Sequence, residues 1–307
     1  MTEASITSSE ARGGTVFDIG YQRYTGAREG RGRSRRALLD NGLRTALGLG
    51  RGPRAKVLPW FFIGVLAFIG LVMALVAGAA ERLGGPGASA ELPSHADLYG
   101  IASILLFVFA ALVAPELLCR DRREGTISLY LVRPITGSDY VTMRWLAFFL
   151  VVTATAWLPQ VILWLGLAMG DRAPLVYIQR HWLDVPRFLG AGLVLAAYTT
   201  TVALLTASFT TRRAYASVFL VGLFAITTPF TAGLSQEIEG AAGQWISMFN
   251  LTNIPLHVSD VIFGKGSEVT EDAPARALGA PMLVSWCALW TVVPALVLWS
   301  RYRRMSP

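Results

Sequence analysis

Apolar residues dominate six long stretches of the chain, and polar or charged segments separate each stretch from the next. Each stretch holds about the 20 helical residues that cross a bilayer core of about 30 Å. The pattern therefore predicts an all-α integral membrane protein with six transmembrane helices. The predicted spans are 58–80, 99–119, 144–169, 188–210, 215–234 and 281–300.

Residues 1–57 read as a cytosolic, Arg-rich tail that ends in an amphipathic helix at 37–50, and residues 58–307 read as a single transmembrane domain. Leucines recur on one side of the short helix, while Asp40 and Arg44 form an i,i+4 pair on the other. This pattern suits a helix in the inner headgroup plane. Part of the tail before it, which holds apolar and aromatic residues at 16–24, is expected to dock on a partner, or its arginines at 31–36 to lie against anionic lipid.

The charge distribution decides the predicted orientation. Segments on one side of the six spans hold 21 of the 27 basic residues, and segments on the other side hold six. Because basic segments stay in the cytoplasm, both termini are predicted to be cytoplasmic in a plasma (inner) membrane protein. The formal charge of +7 reflects this asymmetry, so binding to nucleic acid is not expected.

The sequence contains none of the common catalytic motifs. It has no GxxxxGK[ST], HExxH, GxSxG or CxxC run, so a phosphate-binding loop, a zinc site and a serine nucleophile are not expected. The three histidines are scattered over different outer loops. No catalytic, metal or cofactor-binding residue is therefore predicted in this chain, and the energy for any uphill transport is expected to come from another polypeptide.

The segment 120–143, between the second and third spans, carries a more specific pattern. A charged extension leads to Gly125, which permits a bend, and then to a short helix at 126–132. Arg133-Pro134 is predicted to end this helix, because proline disfavours helical structure at the preceding residue. Ser138 is then expected to cap the next helix, with an acidic residue in its first turn. The pattern predicts a short helix lying across the inner membrane surface.

This arrangement resembles the membrane (permease) subunit of type-2 ATP-binding-cassette exporters. The resemblance covers the interfacial helix, the six spans, the inner hinge and the large outer loop before the sixth span. The residues that carry it are Glu124-Gly125-Thr126, Leu129, Leu131, Arg133-Pro134 and the Ser138-x-Tyr140 start of the third span.

The resemblance implies that the short helix is a coupling helix seated in a separate cytosolic ATPase. The turn between the fourth and fifth spans would make a second contact. Two permease subunits, as a homodimer or a heterodimer, would work with two copies of the ATPase, which would bind the ATP and Mg. The residues expected to couple to the ATPase are Glu124, Gly125, Thr126, Ile127, Leu129, Tyr130, Leu131, Arg133, Pro134, Arg212 and Arg213.

Other features predict packing within the membrane domain. Gly70, Ala74 and Gly78 recur every four residues, a pattern that lets another helix approach closely. Glu116, near the inner end of the second span, is expected to snorkel or to pair with an arginine. The outer loop 235–280 is apolar enough to dip into the outer leaflet or to cap the spans.

These features favour the permease subunit of an ATP-driven exporter, which is not itself an enzyme. An integral membrane enzyme acting on lipids and a secondary transporter remain the alternatives. The spans carry threonines and aromatic residues without fixed charge, which favours a lipidic, amphipathic or drug-like substrate. The candidate substrate path consists of Phe107, Phe109, Thr227 and Thr228.

Overall fold

The computed structural model describes residues 26, 30–50, 52–83, 94–131, 135–171, 173–238, 240–265 and 274–304. Over these residues the chain is all α-helical, with one short 3-10 helix at Pro274–Leu278 and no strand. The helices are α1 Arg31–Ala46, α2 Pro53–Leu83, α3 His95–Arg123, α4 Thr126–Leu131, α5 Gly137–Gly170, α6 Pro174–Arg180, α7 Asp184–Ser208, α8 Arg213–Glu237, α9 Ala241–Ser247, α10 Ile254–Ile262 and α11 Ala280–Arg303.

Six of these helices, α2, α3, α5, α7, α8 and α11, are long and apolar enough to cross a membrane. They confirm the predicted six-span, all-α architecture. All six extend beyond the predicted spans at one or both ends, because their terminal turns carry polar residues that can project beyond the hydrocarbon core. The protein is a multi-pass integral membrane protein.

The two ends of the helical bundle differ in what they carry. We call the end that holds α1, α4 and the α7–α8 turn the hinge end. We call the opposite end, which holds α6, α9 and α10, the loop end. The charge pattern predicts that the hinge end faces the cytoplasm.

Helices α3, α5 and α7 form the centre of the bundle, and most of their residues are buried. Phe109 and Phe148 stack there between α3 and α5, with ring centres 6.2 Å apart. Helices α2, α8 and α11 lie outside them and expose large apolar side chains, such as Phe68, Phe230 and Leu296. In a bilayer these apolar side chains would contact lipid or another helix rather than water.

The small residues of α2 lie directly against α5. A Cβ atom placed on Gly70 would stand 2.7 Å from the carbonyl oxygen of Pro159, and a Cβ atom on Gly78 would stand 3.8 Å from the Cα atom of Gly170. Ala74 lies against Gly166 between these two points. The stripe predicted from the sequence is thus the surface on which the backbones of α2 and α5 approach each other.

The segment between α8 and α11 packs across the loop ends of the central helices. The hydroxyl of Tyr198 on α7 donates to the carbonyl of Leu251, at 2.9 Å. The indole N–H of Trp286 on α11 donates to the carbonyl of Met248, at 2.8 Å. Since α10 also contacts α3 and is largely buried, this segment caps the bundle.

A buried charged group lies within this cap. Arg276 and Asp260 form an ion pair at 2.7 Å and are both largely buried. His257 is 3% exposed. Its burial, followed by the nearby charge of Arg276, lowers its pKa to about 4, while burial raises the pKa of Asp260. His257 is therefore neutral in the folded cap at neutral pH.

Candidate functional site at the hinge end

Helix α4 begins immediately after α3, as the sequence predicted. The backbone N–H of Glu124, at the end of α3, donates to the carbonyl of Arg120 at 2.9 Å. Gly125 follows with a φ of 67°, in the left-handed region that glycine occupies without steric cost. The hydroxyl of Thr126 then donates to the carbonyl of Asp121, at 3.2 Å. These contacts hold the start of α4 against the last turn of α3.

Helix α5 begins with a capping box. The side chain of Thr136 accepts a bond from the N–H of Asp139, and the carboxylate of Asp139 accepts one from the N–H of Thr136. The prediction that Ser138 caps this helix was wrong, because Ser138 lies inside the first turn. Thr136 is the residue three positions before an acidic side chain that can return the bond.

The carboxylate of Asp139 also connects the start of α5 to α1. Arg31 and Arg35 form ion pairs with Asp139 at 2.6 and 2.5 Å, and the Asp139 side chain is only 7% exposed. The predicted bounds of the interfacial helix, 37–50, were therefore wrong at both ends. Arg31 and Arg35 are already helical and hold this tertiary contact, and the helix ends at Ala46 ahead of Gly48, whose φ is 67°.

A second polar group is centred on the buried side chains of Tyr140 and Arg144. We call this pair, together with the partly buried Asp121 and the exposed Asn41, the buried joint. The Arg144 guanidinium, 2% exposed, binds the Asp121 carboxylate at 2.6 Å and the Asn41 side-chain oxygen at 3.0 Å. The Tyr140 hydroxyl donates to the same carboxylate at 2.7 Å. The guanidinium also lies 5.5 Å from the centre of the Tyr140 ring. The buried joint thus connects α1, α3 and α5.

Aromatic contacts extend the buried joint to two further helices. The Tyr140 ring lies 5.9 Å from the ring of Tyr130 on α4 and 5.8 Å from the ring of Tyr302 on α11. Ile127 is also half-buried and, like Tyr130, packs against the core of the bundle. The apolar face predicted to dock on an ATPase therefore contributes at least two of its side chains to the protein's own packing. Glu124 and Gly125 remain exposed.

The turn between α7 and α8 is tied to the same end of α3. Glu116 on α3 forms an ion pair with Arg213 at the start of α8, so its predicted pairing with an arginine is confirmed. The guanidinium of Arg122 donates to the carbonyl of Ser208 at the end of α7. Arg212 lies exposed in the turn, 5.5 Å from the ring of Tyr215. Both segments predicted to contact a partner are therefore connected to the last turns of α3.

Some of the predicted coupling residues lie outside the described part of the structure. These are Arg133, Pro134 and the side chains of Leu129 and Leu131. Their proposed role stays a prediction.

A cavity of about 390 Å³ opens between α3, α8 and α10. Phe107 and Phe224 stack in its wall with ring centres 4.3 Å apart. The Thr228 hydroxyl, also in the wall, lies 2.7 Å from the hydroxyl of Thr252. The remaining lining residues are mainly apolar and none is charged: Gly100, Ser103, Ile104, Val108, Val221, Ala225, Pro229, Asn253 and Leu256.

Two of the four residues of the candidate substrate path line this cavity, namely Phe107 and Thr228. Phe109 instead packs in the core against Phe62 and Phe148. The hydroxyl of Thr227 donates to the carbonyl of Leu223, one helical turn earlier. Sequence spacing alone could not separate the residues that face the cavity from those that face the core.

Helix α8 has an interrupted backbone where it lines the cavity. Pro229 lies inside the helix and has no amide hydrogen to donate to the carbonyl of Ala225. The hydroxyls of Thr227, Thr228 and Thr231 each bond to a carbonyl of the preceding turn, a pattern that weakens and bends helices. Ala225 and Pro229 both lie in the wall of the cavity.

Sequence reasoning missed the buried joint. Arg144 is the first residue of the predicted third span, yet it lies two turns inside α5 and is almost fully buried. A charged residue within an apolar helix is a signal that could have identified it. The partners Asn41 and Asp121 could not be identified in this way, because they belong to other helices.

Comparisons with known proteins do not assign the chain to a group. No protein family model matches it, and a search of the curated proteins finds no match.

Proposed function

We propose that this protein is the permease subunit of an ATP-driven exporter and that its hinge end receives a cytosolic ATPase. The observation that carries the proposal is the position of α4. This short helix lies between two spans, and its Tyr130 ring contacts the buried joint through Tyr140. A displacement of α4 is thereby passed to α3, α5 and α11.

The buried joint favours movement of these helices as a unit. Separating Arg144 from Asp121 inside the protein would leave a charge without its partner, which costs several kcal/mol. An ATPase that pushes on the hinge end would therefore shift whole helices rather than a local loop. ATP drives this shift only through contacts that differ between its two states.

The partner would contact the exposed polar groups of the hinge end. Glu124, Gly125 and Arg123 are exposed at the α3–α4 junction, and Arg212 is exposed in the α7–α8 turn. Two copies of the chain, or this chain with a second permease subunit, would bind two ATPase copies that hold the ATP and Mg. This chain would contribute no catalytic residue and no cofactor.

The cavity between α3 and α8 favours a lipidic, amphipathic or drug-like substrate. Its volume of about 390 Å³ and its uncharged lining match the mainly apolar sites that bind small molecules with a few polar groups. The pair of hydroxyls on Thr228 and Thr252 would meet the polar part of such a substrate.

Site-specific photocross-linking tests the proposed partner. A photoreactive residue at Glu124 or at Arg212 should capture a protein that mass spectrometry identifies as an ATPase with a phosphate-binding loop. The same residue at Leu175, which is 76% exposed in α6 at the loop end, should not. Capture of the ATPase from Leu175 alone, or from none of the three positions in active membranes, would contradict the proposal.

Purification of the complex supplies the functional test. ATP hydrolysis should copurify with the wild-type chain and fall with Glu124→Arg, whose side chain is exposed and can change without disturbing the core. Hydrolysis by the chain purified free of any ATPase would favour an enzyme instead. Substrate movement by the chain alone in liposomes, driven by an ion gradient, would favour a secondary transporter.

A further inference from the structure

A second groove, of about 290 Å³, runs between α5 and α11 on the outer surface of the bundle. Its lining is almost entirely apolar, and its one hydroxyl, on Thr142, donates to the carbonyl of Ser138 at 2.7 Å. The lining residues are Val141, Thr142, Trp145, Ala295, Leu296, Leu298 and Trp299.

The groove lies close to the hinge end. Val141 and Thr142 belong to the first two turns of α5, and Leu298 and Trp299 belong to the last two turns of α11. Tryptophan is enriched at the level where the hydrocarbon core meets the headgroups. The two tryptophans of the lining favour a groove that opens at the depth where the chains of a lipid join its headgroup.

A positive charge lies beside Trp299, one of the lining residues of this groove. The Arg303 guanidinium lies 5.1 Å from the centre of the Trp299 ring. Arg303 is exposed and takes part in no ion pair among the residues that the structure describes. Stacking on an aromatic ring leaves the edge of a guanidinium able to donate hydrogen bonds, and this edge matches the geometry of a phosphate.

We infer that this groove binds an anionic phospholipid, with an acyl chain between α5 and α11 and the phosphate against Arg303. Basic pockets between transmembrane helices on the cytoplasmic side recognise anionic headgroups. Arg301 and Arg304 lie within two residues of Arg303 and add positive charge to the same end of α11. That potential favours a lipid with net negative charge over a zwitterionic one.

The shape of the groove favours a lipid chain over a second protein helix. A single turn of a helix with its side chains, about 10–12 Å across and about 5.4 Å long, is already larger than this groove of about 290 Å³. A single acyl chain is long, narrow and apolar, and it can lie along the groove in contact with both walls. A second copy of the chain is the competing occupant.

Native mass spectrometry of the full chain can identify the occupant. The protein is extracted from nanodiscs that contain equal amounts of phosphatidylglycerol and phosphatidylcholine, and the retained lipids are counted per chain. We expect one phosphatidylglycerol to be retained by the wild type. Excess glycerol phosphate, which carries the anion without acyl chains, should not displace it.

Two substitutions test the two halves of the proposed site. Ala295→Phe fills the groove and should lower lipid retention about tenfold, whereas Val297→Phe, one position away from the groove lining on the same helix, should not. Arg303→Gln should remove the preference for phosphatidylglycerol but keep an acyl chain bound. Arg212→Gln is its matched control, because Arg212 also stacks on an aromatic ring at the hinge end but does not line this groove.

Four results would overturn the inference. Lipid retention by Ala295→Phe equal to that of the wild type would exclude the groove as the site. A preference for phosphatidylglycerol unchanged in Arg303→Gln would exclude the headgroup contact. Displacement by glycerol phosphate would indicate a site for free anions. Loss of a dimer in Ala295→Phe without loss of lipid would assign the groove to a second copy. If Ala295→Phe does not fold, Ala295→Leu fills the groove more gently and carries the same expectations.

Discussion

The buried joint makes a quantitative prediction about stability. Asp121→Asn leaves the Arg144 charge almost fully buried without its counterion. Removing one partner of a buried ion pair costs about 3–5 kcal/mol. Arg144→Met removes the charge itself and leaves Asp121, which is 13% exposed, with the Tyr140 hydroxyl as a donor. We expect it to cost less, about 2–3 kcal/mol.

The double variant separates the interaction from its side effects. With both charges removed, neither is left alone, so the double variant should cost less than the sum of the two single variants. We expect a coupling free energy between Asp121 and Arg144 of at least about 2 kcal/mol. Unfolding in mixed micelles with increasing SDS, followed through the fluorescence of the nine tryptophans, measures each variant.

A second ion pair on the same helix end provides the control. Arg120 and Glu124 lie 3.1 Å apart, but their side chains are 44% and 41% exposed. Exposed pairs of this kind contribute about 0–1 kcal/mol, so Arg120→Met and Glu124→Gln should show little coupling. If the coupling of Asp121 to Arg144 is no larger than that of this control pair, Arg144 does not hold the hinge end together.

Three further predictions concern packing, pH and orientation. Gly70→Leu should separate α2 from α5 and lower the melting temperature, while Gly64→Leu, which meets open space, should not; equal melting temperatures would contradict the close contact. Because the unfolded chain protonates His257 near pH 6.5 and the folded cap only near pH 4, its contribution to stability is complete above pH 6.5. It declines on acidification by on the order of 3 kcal/mol. His257→Gln should reduce this loss of stability on acidification. A wild type with the same free energy of unfolding at pH 4 and pH 7 would refute the assigned role of His257. Single cysteines at Glu124 and Leu175, in a chain without other cysteines, should react with impermeant thiol reagents from opposite sides, Glu124 only from the cytoplasm; labelling of Glu124 in intact cells would reverse the orientation.

The sequence was sufficient for the spans and for α4. Long apolar runs have few structural solutions in a bilayer, and Gly125 followed by apolar residues and Arg133-Pro134 gives clear helix boundaries. The N-terminal cap at Thr136 could also have been found, since its sequence already contains an acidic residue three positions later. Ser138 is also a residue type that caps helices, but the residue three positions after it is Val141, which has no carboxylate to return the bond.

The contacts between distant segments could not be predicted from the sequence in the same way. Arg31 and Arg35 are helical, and both bind a carboxylate that lies more than 100 residues away. Local sequence shows only an Arg-rich segment there, with no sign of the partner. Likewise, the half-buried state of Tyr130 depends on Tyr140, which lies on another helix.

The interrupted backbone of α8 has a consequence for ligand selection. In a hydrocarbon environment no water is present to bond the carbonyl of Ala225, which Pro229 leaves without its helical donor. A ligand in the adjacent cavity that carries a hydroxyl could supply the missing hydrogen bond, whereas its methyl ether could not. We therefore expect the main chain itself to discriminate between an alcohol and its O-methylated counterpart, in addition to any contact with the hydroxyls of Thr228 and Thr252.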